Sequence, residues 1–275
     1  MSPLQAFILG IIQGITEFLP ISSSGHLVIA PYLFGWTIPP EDAFVFDVLV
    51  QVATLFAVII YFWGDLTAIV IAFIRGIFHR KPFESDLSRL GWYLILATIP
   101  AGLVGVLFKG VLEDTFSNPV AAAVALFITA GLLVLAEKVG HRTRVLDQIG
   151  WKDALIMGIF QIFALFPGIS RSGSTITGGM LRDFDRPTAA RFSFLMAVPV
   201  MLAAGLVASI DLMSTPGWLT KLPVYAWGFL SSAVVGYLAI RWLLRYLTNH
   251  PLYVFSIYCT VLGVITLAFY AFSAI

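Results

Sequence analysis

The chain has 275 residues, of which 59% are hydrophobic and 11% charged, with a formal net charge of +1 and a mean hydropathy of +0.95. A soluble domain carries roughly 25% charged residues, so the composition excludes a soluble enzyme or scaffold and leaves an integral membrane protein with no room for a separate soluble domain. The single cysteine, Cys259, lies in an apolar run beside Tyr258 and reads as a small hydrophobe rather than a catalytic thiol.

The N-terminal stretch MSPLQAFILG lacks a basic n-region and a small-residue cleavage site, so it reads as the start of a membrane segment rather than a removable signal. Residues 3–20 and 26–35 are apolar pieces separated by the serine island at 22–26. The first full span is 43–63, since about 20 apolar residues cross a bilayer. The piece 64–78 either extends that helix or lies along the interface. Spans follow at 90–109 and 119–137. A second broken pair, 151–167 and 174–181, flanks PGISRSG, and the last spans are 188–210, 223–245 and 252–274. Polar backbone at membrane depth is tolerated only inside protein or beside a wet cavity, so each broken pair is expected to form a re-entrant helix–loop–helix hairpin. The predicted fold is all-α and polytopic: six transmembrane helices plus two re-entrant hairpins, in one membrane domain over 1–275.

Thirteen of the 16 basic residues fall in segments that six crossings put on one face: 75–89, 138–152, 182–191 and 241–245. The positive-inside rule makes that face cytoplasmic. Lys109 and Lys221 fall on the other side, and Arg171 is left inside the membrane. Both termini are then external, the first hairpin enters from outside and the second from the cytoplasm.

Shifting the chain by 148 residues aligns 6–25 with 154–173, with ten of twenty positions identical, among them Gln13/Gln161, Ser22/Ser170, Ser24/Ser172 and Gly25/Gly173. Apolar bias does not readily produce Gln, Ser, Ser and Gly in register. Three crossings separate the copies, so they are expected to form an inverted-topology repeat, about 1–137 and about 150–275. That design places a site where the repeats meet.

Gln13 and Glu17, four residues apart, share a helix face. A glutamate in an apolar segment is a functional candidate by default. Pro20 ends that helix, and Ser22, Ser23, Ser24, Gly25 and His26 follow, with the next half-helix expected to start near His26. Its free N–H groups suit an anion. A serine nucleophile needs a base and the base an orienting group; His26 can serve as base, while Glu17 can orient the imidazole or act on a water. In the second loop Arg171 offers a planar fork for phosphate oxygens, flanked by Gly168, Ser170, Ser172, Ser174 and Thr175. Its plainer role is counter-ion to Glu17. Asp47 reads as a polar contact or rim group, and His79, His141 and His250 as solvated loop residues. No His/Cys cluster suggests zinc and no glycine-rich phosphate loop suggests a nucleotide.

QGITEFLPISSSGH at 13–26 and PGISRSGST at 167–175 resemble the two signatures of the bacterial undecaprenyl-diphosphate phosphatase family, the BacA/UppP type, and the resemblance covers essentially the whole chain. It implies hydrolysis of undecaprenyl diphosphate to the monophosphate at the bacterial plasma membrane, recycling the carrier for wall synthesis, and bacitracin resistance. By position, Ser23 matches the nucleophile, His26 its partner base, Glu17 the essential acid and Arg171 the diphosphate-binding arginine. Ser170 and Thr175 match supporting contacts, and Ser22, Ser24, Ser172, Gly168 and Gln13 complete the expected substrate surface. The first acidic position of the signature is Gln13 here, which weakens a two-carboxylate metal site. The implied Mg²⁺ or Ca²⁺ falls to Glu17 and the substrate's own phosphates; no organic cofactor is implied. The partners are the prenyl diphosphate and membrane lipid, not nucleic acid, with a homodimer left open. The cavity is expected to open to the outer face. Serine attack and direct attack by water use the same residues. A prenyl-phosphate flippase is the alternative, though a carrier has no evident use for a Ser–His pair beside Glu17.

Overall fold

The computed structural model describes residues 1–108, 118–213 and 217–273. Among them are eleven α-helices and no β-strand: α1 Pro3–Phe18, α2 Ser23–Leu33, α3 Pro40–Tyr61, α4 Trp63–Phe78, α5 Asp86–Leu107, α6 Pro119–Val139, α7 Trp151–Phe163, α8 Arg171–Met180, α9 Arg186–Met213, α10 Leu222–Leu247 and α11 Tyr253–Ser273. Six helical stretches are long and apolar enough to cross a membrane: Pro40–Tyr61, Asp86–Leu107, Pro119–Val139, Arg186–Ile210, Trp218–Leu247 and Tyr253–Ser273. They correspond to the six predicted spans. Lys109 lies outside the described residues.

Local chemistry fixes the breaks. Ser2 and Gln5 close a capping box at the start of α1, and prolines open α1, α3 and α6. Leu19, directly before Pro20, is extended (φ −64°, ψ 143°), because a residue preceding proline is pushed out of the helical region. Phe62 separates α3 from α4, so 64–78 is a helix of its own, packed on α5. Many apolar side chains on the outer surfaces stay exposed, including Leu206, Val234 and Ile257, as a lipid-facing belt requires.

Packing interleaves the two halves of the chain. α1 packs along α10 and α7 along α5; α3 packs on α10 and α9 on α5; α3 also meets α9, and α6 meets α11. Phe194 of α9 makes edge contacts with Phe18 and a tilted one with Phe62, joining both halves in one buried core.

The buried ion pairs sort by height. At one end Asp42 takes the N-terminal ammonium (2.9 Å), Tyr225 Oη (3.2 Å) and the Lys221 ammonium. At the other end Glu137 binds Arg186 (2.7 and 2.5 Å), Arg142 (2.9 Å) and the Leu252 N–H (2.8 Å), while Asp153 binds Arg144 and Arg182 (2.7 Å each). His141 meets Asp183 at 2.8 Å in the adjoining loops. Four of the thirteen basic residues, Arg142, Arg144, Arg182 and Arg186, pair with these two acids. Asp47 is half-buried on α3, and the 183–187 turn leads into α9 as its sequence suggests.

Candidate active site

Both polar loops start short helices, and they do so at equivalent positions of the self-alignment. Ser22 is the N-cap of α2, its Oγ accepting the Gly25 N–H at 3.3 Å; Ser170 is the N-cap of α8, its Oγ accepting the Gly173 N–H at 3.0 Å. α2 thus begins at Ser23, three residues before the expected start, because Ser22 supplies the cap. Ser23 and Arg171 each occupy the first turn of a helix, where amides lack intrahelical partners and the dipole favours negative charge.

The two loops touch. A Cβ added to Gly25 would stand 3.0 Å from Gly168 Cα, and Ser172 Oγ donates to the Leu19 carbonyl at 3.0 Å. Gly168 adopts φ +92°, and a Cβ there would also strike the Ala122 carbonyl at 2.4 Å, so only glycine fits. In the first loop the left-handed position falls on Ser22 instead, at φ 72°, where a side chain is strained.

Glu17 is the centre of the cluster. It is 9% exposed, and its Oε2 accepts Ser23 Oγ at 2.6 Å and Gln13 Nε2 at 3.0 Å, while Oε1 accepts Arg171 Nη2 at 3.0 Å. Arg171 also reaches the Ser193 carbonyl at 3.5 Å and keeps 14% of its side chain exposed. Ser23 and Ser24 are half-buried. A hydroxyl and a guanidinium therefore meet on opposite oxygens of one carboxylate, beside two helix N-termini.

The other expected residues divide into two groups. His26 belongs to the loop but does not face Ser23: its Nδ1 lies 2.7 Å from the Ser22 carbonyl and its Nε2 2.8 Å from Tyr258 Oη. Ser170, Ser172 and Thr175 are at most 1% exposed and already bonded to protein. Ser170 Oγ meets Ser172 Oγ at 3.1 Å, and Thr175 Oγ1 donates to the Arg171 carbonyl at 2.8 Å and meets Ser193 Oγ at 2.6 Å. They brace the arginine loop from behind. Ser174, which aligns with His26, is fully buried; Gln13 is buried with its amide on Glu17.

Three residues that sequence reasoning missed support the site. Thr129 of α6 donates to the Gly168 carbonyl (3.1 Å) and accepts the Ser170 N–H (3.0 Å), latching the second loop. Ser193 of α9 holds Thr175 and Arg171, and Tyr258 of α11 holds His26. A threonine, a serine and a tyrosine inside apolar spans carry no sequence signal that separates them from ordinary packing residues.

Glu17 is the carboxylate of this cluster, and both its oxygens already hold protein donors. Among the described residues no three His, Cys, Asp or Glu side chains gather at one point. Mg²⁺ or Ca²⁺ asks for six or more oxygens, so these side chains alone do not build a resident divalent-ion site.

Comparison with known proteins bears on the whole chain. The family model described as "Bacitracin resistance protein BacA" matches residues 6–265. A protein of Thermomicrobium roseum named undecaprenyl-diphosphatase is 41% identical over 99% of this chain and 100% of its own length. Proteins of the same name from Chlorobium phaeovibrioides (44%, covering 97% and 96%) and Cutibacterium acnes (40%, covering 96% of each) are similar throughout. The match spans both polar loops and every helix between them, and this chain belongs to the BacA family.

Proposed function

We propose that Ser23, Glu17 and Arg171 form the chemical centre of an undecaprenyl-diphosphate phosphatase. The chain is a multi-pass membrane hydrolase that converts undecaprenyl diphosphate to undecaprenyl phosphate and phosphate. The reaction returns the lipid carrier to cell-wall synthesis, and removal of the diphosphate that bacitracin sequesters confers resistance. The observation that carries the assignment of residues is the 2.6 Å bond from Ser23 to a carboxylate that also holds Arg171.

Glu17 is placed to take the proton as Ser23 Oγ bonds to the terminal phosphorus. The bond to the bridging oxygen breaks, and undecaprenyl phosphate leaves with the electron pair. Arg171 and the first amides of α2 and α8 neutralise the phosphoryl oxygens, which is the dominant need in this chemistry. Glu17 passes the Ser23 proton to the departing undecaprenyl phosphate. Water then attacks the phosphoserine as its proton passes to Glu17, the bond to Ser23 Oγ breaks, Glu17 returns the proton to Ser23, and phosphate departs. This ordering gives Glu17 the base role for which sequence alone favours His26. Mg²⁺ or Ca²⁺ enters the proposal only as a companion of the substrate's phosphates.

The same proposal includes an inverted repeat of two re-entrant hairpins. Its support is the reciprocal packing of α1 on α10 and α7 on α5, together with the equivalent caps Ser22 and Ser170. The Glu137 and Asp153 end, rich in arginine, is taken as cytoplasmic under the positive-inside rule, in the bacterial plasma membrane, with the diphosphate entering from the outer face.

The test is phosphate release from undecaprenyl diphosphate by the purified protein in detergent, with acid trapping of labelled phosphoserine. Release by the wild type and its loss in Ser23→Ala is the expected result; full turnover by Ser23→Ala would sink the covalent route.

A further inference from the structure

His26 is held at both ring nitrogens, and the partners settle which nitrogen carries the proton. The Ser22 carbonyl, 2.7 Å from Nδ1, can only accept, so Nδ1 is the N–H. Nε2 is left with its lone pair, and Tyr258 Oη at 2.8 Å is the donor to it. The two rings lie parallel, 6° apart in plane with centroids 5.6 Å apart. His26 is 7% exposed while Tyr258 is 42% exposed, so the phenol joins a buried imidazole to the outer surface of α11.

Ser22 is the residue on which this arrangement acts. Its φ of 72° is one a serine avoids, and such a turn persists only when its surroundings over-determine it. The Ser22 carbonyl accepts from both the backbone N–H (3.2 Å) and the ring of His26. Ser23 is the next residue, so the direction of its hydroxyl toward Glu17 depends on that turn.

We propose that Tyr258 is a positioning residue of the phosphatase centre: its hydroxyl, donating to Nε2, holds the His26 ring against the Ser22 carbonyl, which clamps the Ser22 turn and so aims Ser23 at Glu17. The proposal rests on the phosphatase reading above. Tyr258 takes no part in bond making.

Two variants separate this role from simple packing. Tyr258→Phe keeps the stacked ring and removes the hydroxyl; Tyr258→Leu removes both. Phosphate release from undecaprenyl diphosphate gives kcat and KM, and ¹⁵N spectra of selectively histidine-labelled protein report the His26 tautomer. The chain has four histidines, and His26→Gln identifies the signal. Tyr258→Phe is expected to lose roughly tenfold in kcat with KM within about twofold, the loss of one hydrogen bond's worth of positioning. Its His26 Nε2 signal should shift toward that of an unbonded lone pair while Nδ1 stays protonated, with a fall in Tm of no more than a few degrees. Tyr258→Phe with wild-type kcat, or with lowered kcat and an unaltered His26 spectrum, overturns the proposal. An inactive wild type with the His26 pattern intact overturns the phosphatase reading first, and this proposal falls with it.

Discussion

Ser23 donates its hydroxyl to Glu17 Oε2 at 2.6 Å, across the proline that ends α1. The pair spans a chain break between two half-helices, so its length is set by the Pro20–Ser22 turn and by Arg171, which holds the other carboxylate oxygen. One carboxyl group thus receives a hydroxyl on one oxygen and a guanidinium on the other.

Glu17→Gln keeps the shape of the side chain and removes its basicity. The expected loss in kcat is about 10²–10⁴-fold, the usual range for a general base. His26→Gln should lose less, because His26 touches the Ser22 carbonyl and Tyr258 rather than Ser23. Phosphate-release assays on both variants check the order, and the reverse order would return the base role to His26.

Arg171→Lys retains a cation for Glu17 and loses the planar fork. A drop of at least about 10²-fold in kcat/KM is expected, since an ammonium does not bind phosphate oxygens in pairs. Arg171→Ala also leaves Glu17 buried without its cation, so Tm should fall. Adding Glu17→Gln to Arg171→Ala should recover Tm while activity stays lost, the sign of coupling in a double-mutant cycle. Thermal-shift and turnover measurements on the four proteins decide it.

Ser22 yields an unusual order of stabilities. Ser22→Ala keeps the left-handed strain and loses the cap to Gly25, costing about 1 kcal/mol. Ser22→Gly loses the same cap and relieves about 1–2 kcal/mol of strain. Thermal unfolding should therefore rank Gly at or above Ser, and Ser above Ala. Both variants should lose turnover, because neither holds Ser23 as the native turn does.

Glu137 tests stability away from the chemistry. Its carboxylate binds two arginines and the Leu252 N–H at the arginine-rich end. Glu137→Ala leaves two partly exposed guanidinium groups and the Leu252 N–H without their acceptor and should cost about 1–3 kcal/mol. KM for undecaprenyl diphosphate should be unchanged in the protein that survives purification, and a large rise in KM would contradict the separation of this end from the site.

The legible features were those at odds with the bilayer. Glu17, Arg171 and the serine loops stand out because charge and hydroxyl groups interrupt apolar runs, and six spans follow from length alone. Pairwise partners were not legible in this way. Tyr258 inside an apolar span looks like an interface anchor, Thr129 like a helix residue bonded to its own backbone, and Glu137 like one more charge beside a basic loop. Ser23 and His26 are three apart on α2 and share a face by spacing, yet the imidazole turns to the Ser22 carbonyl and Tyr258 instead, a choice of partner that spacing alone does not fix. The helix 63–78 is ambiguous in sequence because the break falls at Phe62, with no proline there, while Gly64 lies inside the new helix rather than at the break.

The partnership of Glu17 with Arg171 joins residues 154 positions apart, in opposite halves of the chain. A ribosome threading this protein into the bilayer delivers the acid several helices before the base that neutralises it. During that interval Glu17 has no cation, so placing it deep in the membrane is costly. Docking of α8 then creates the paired carboxylate and the catalytic geometry in one step. A nascent chain halted before Arg171 carries Ser23 and His26 with only the α2 amides to meet an anion.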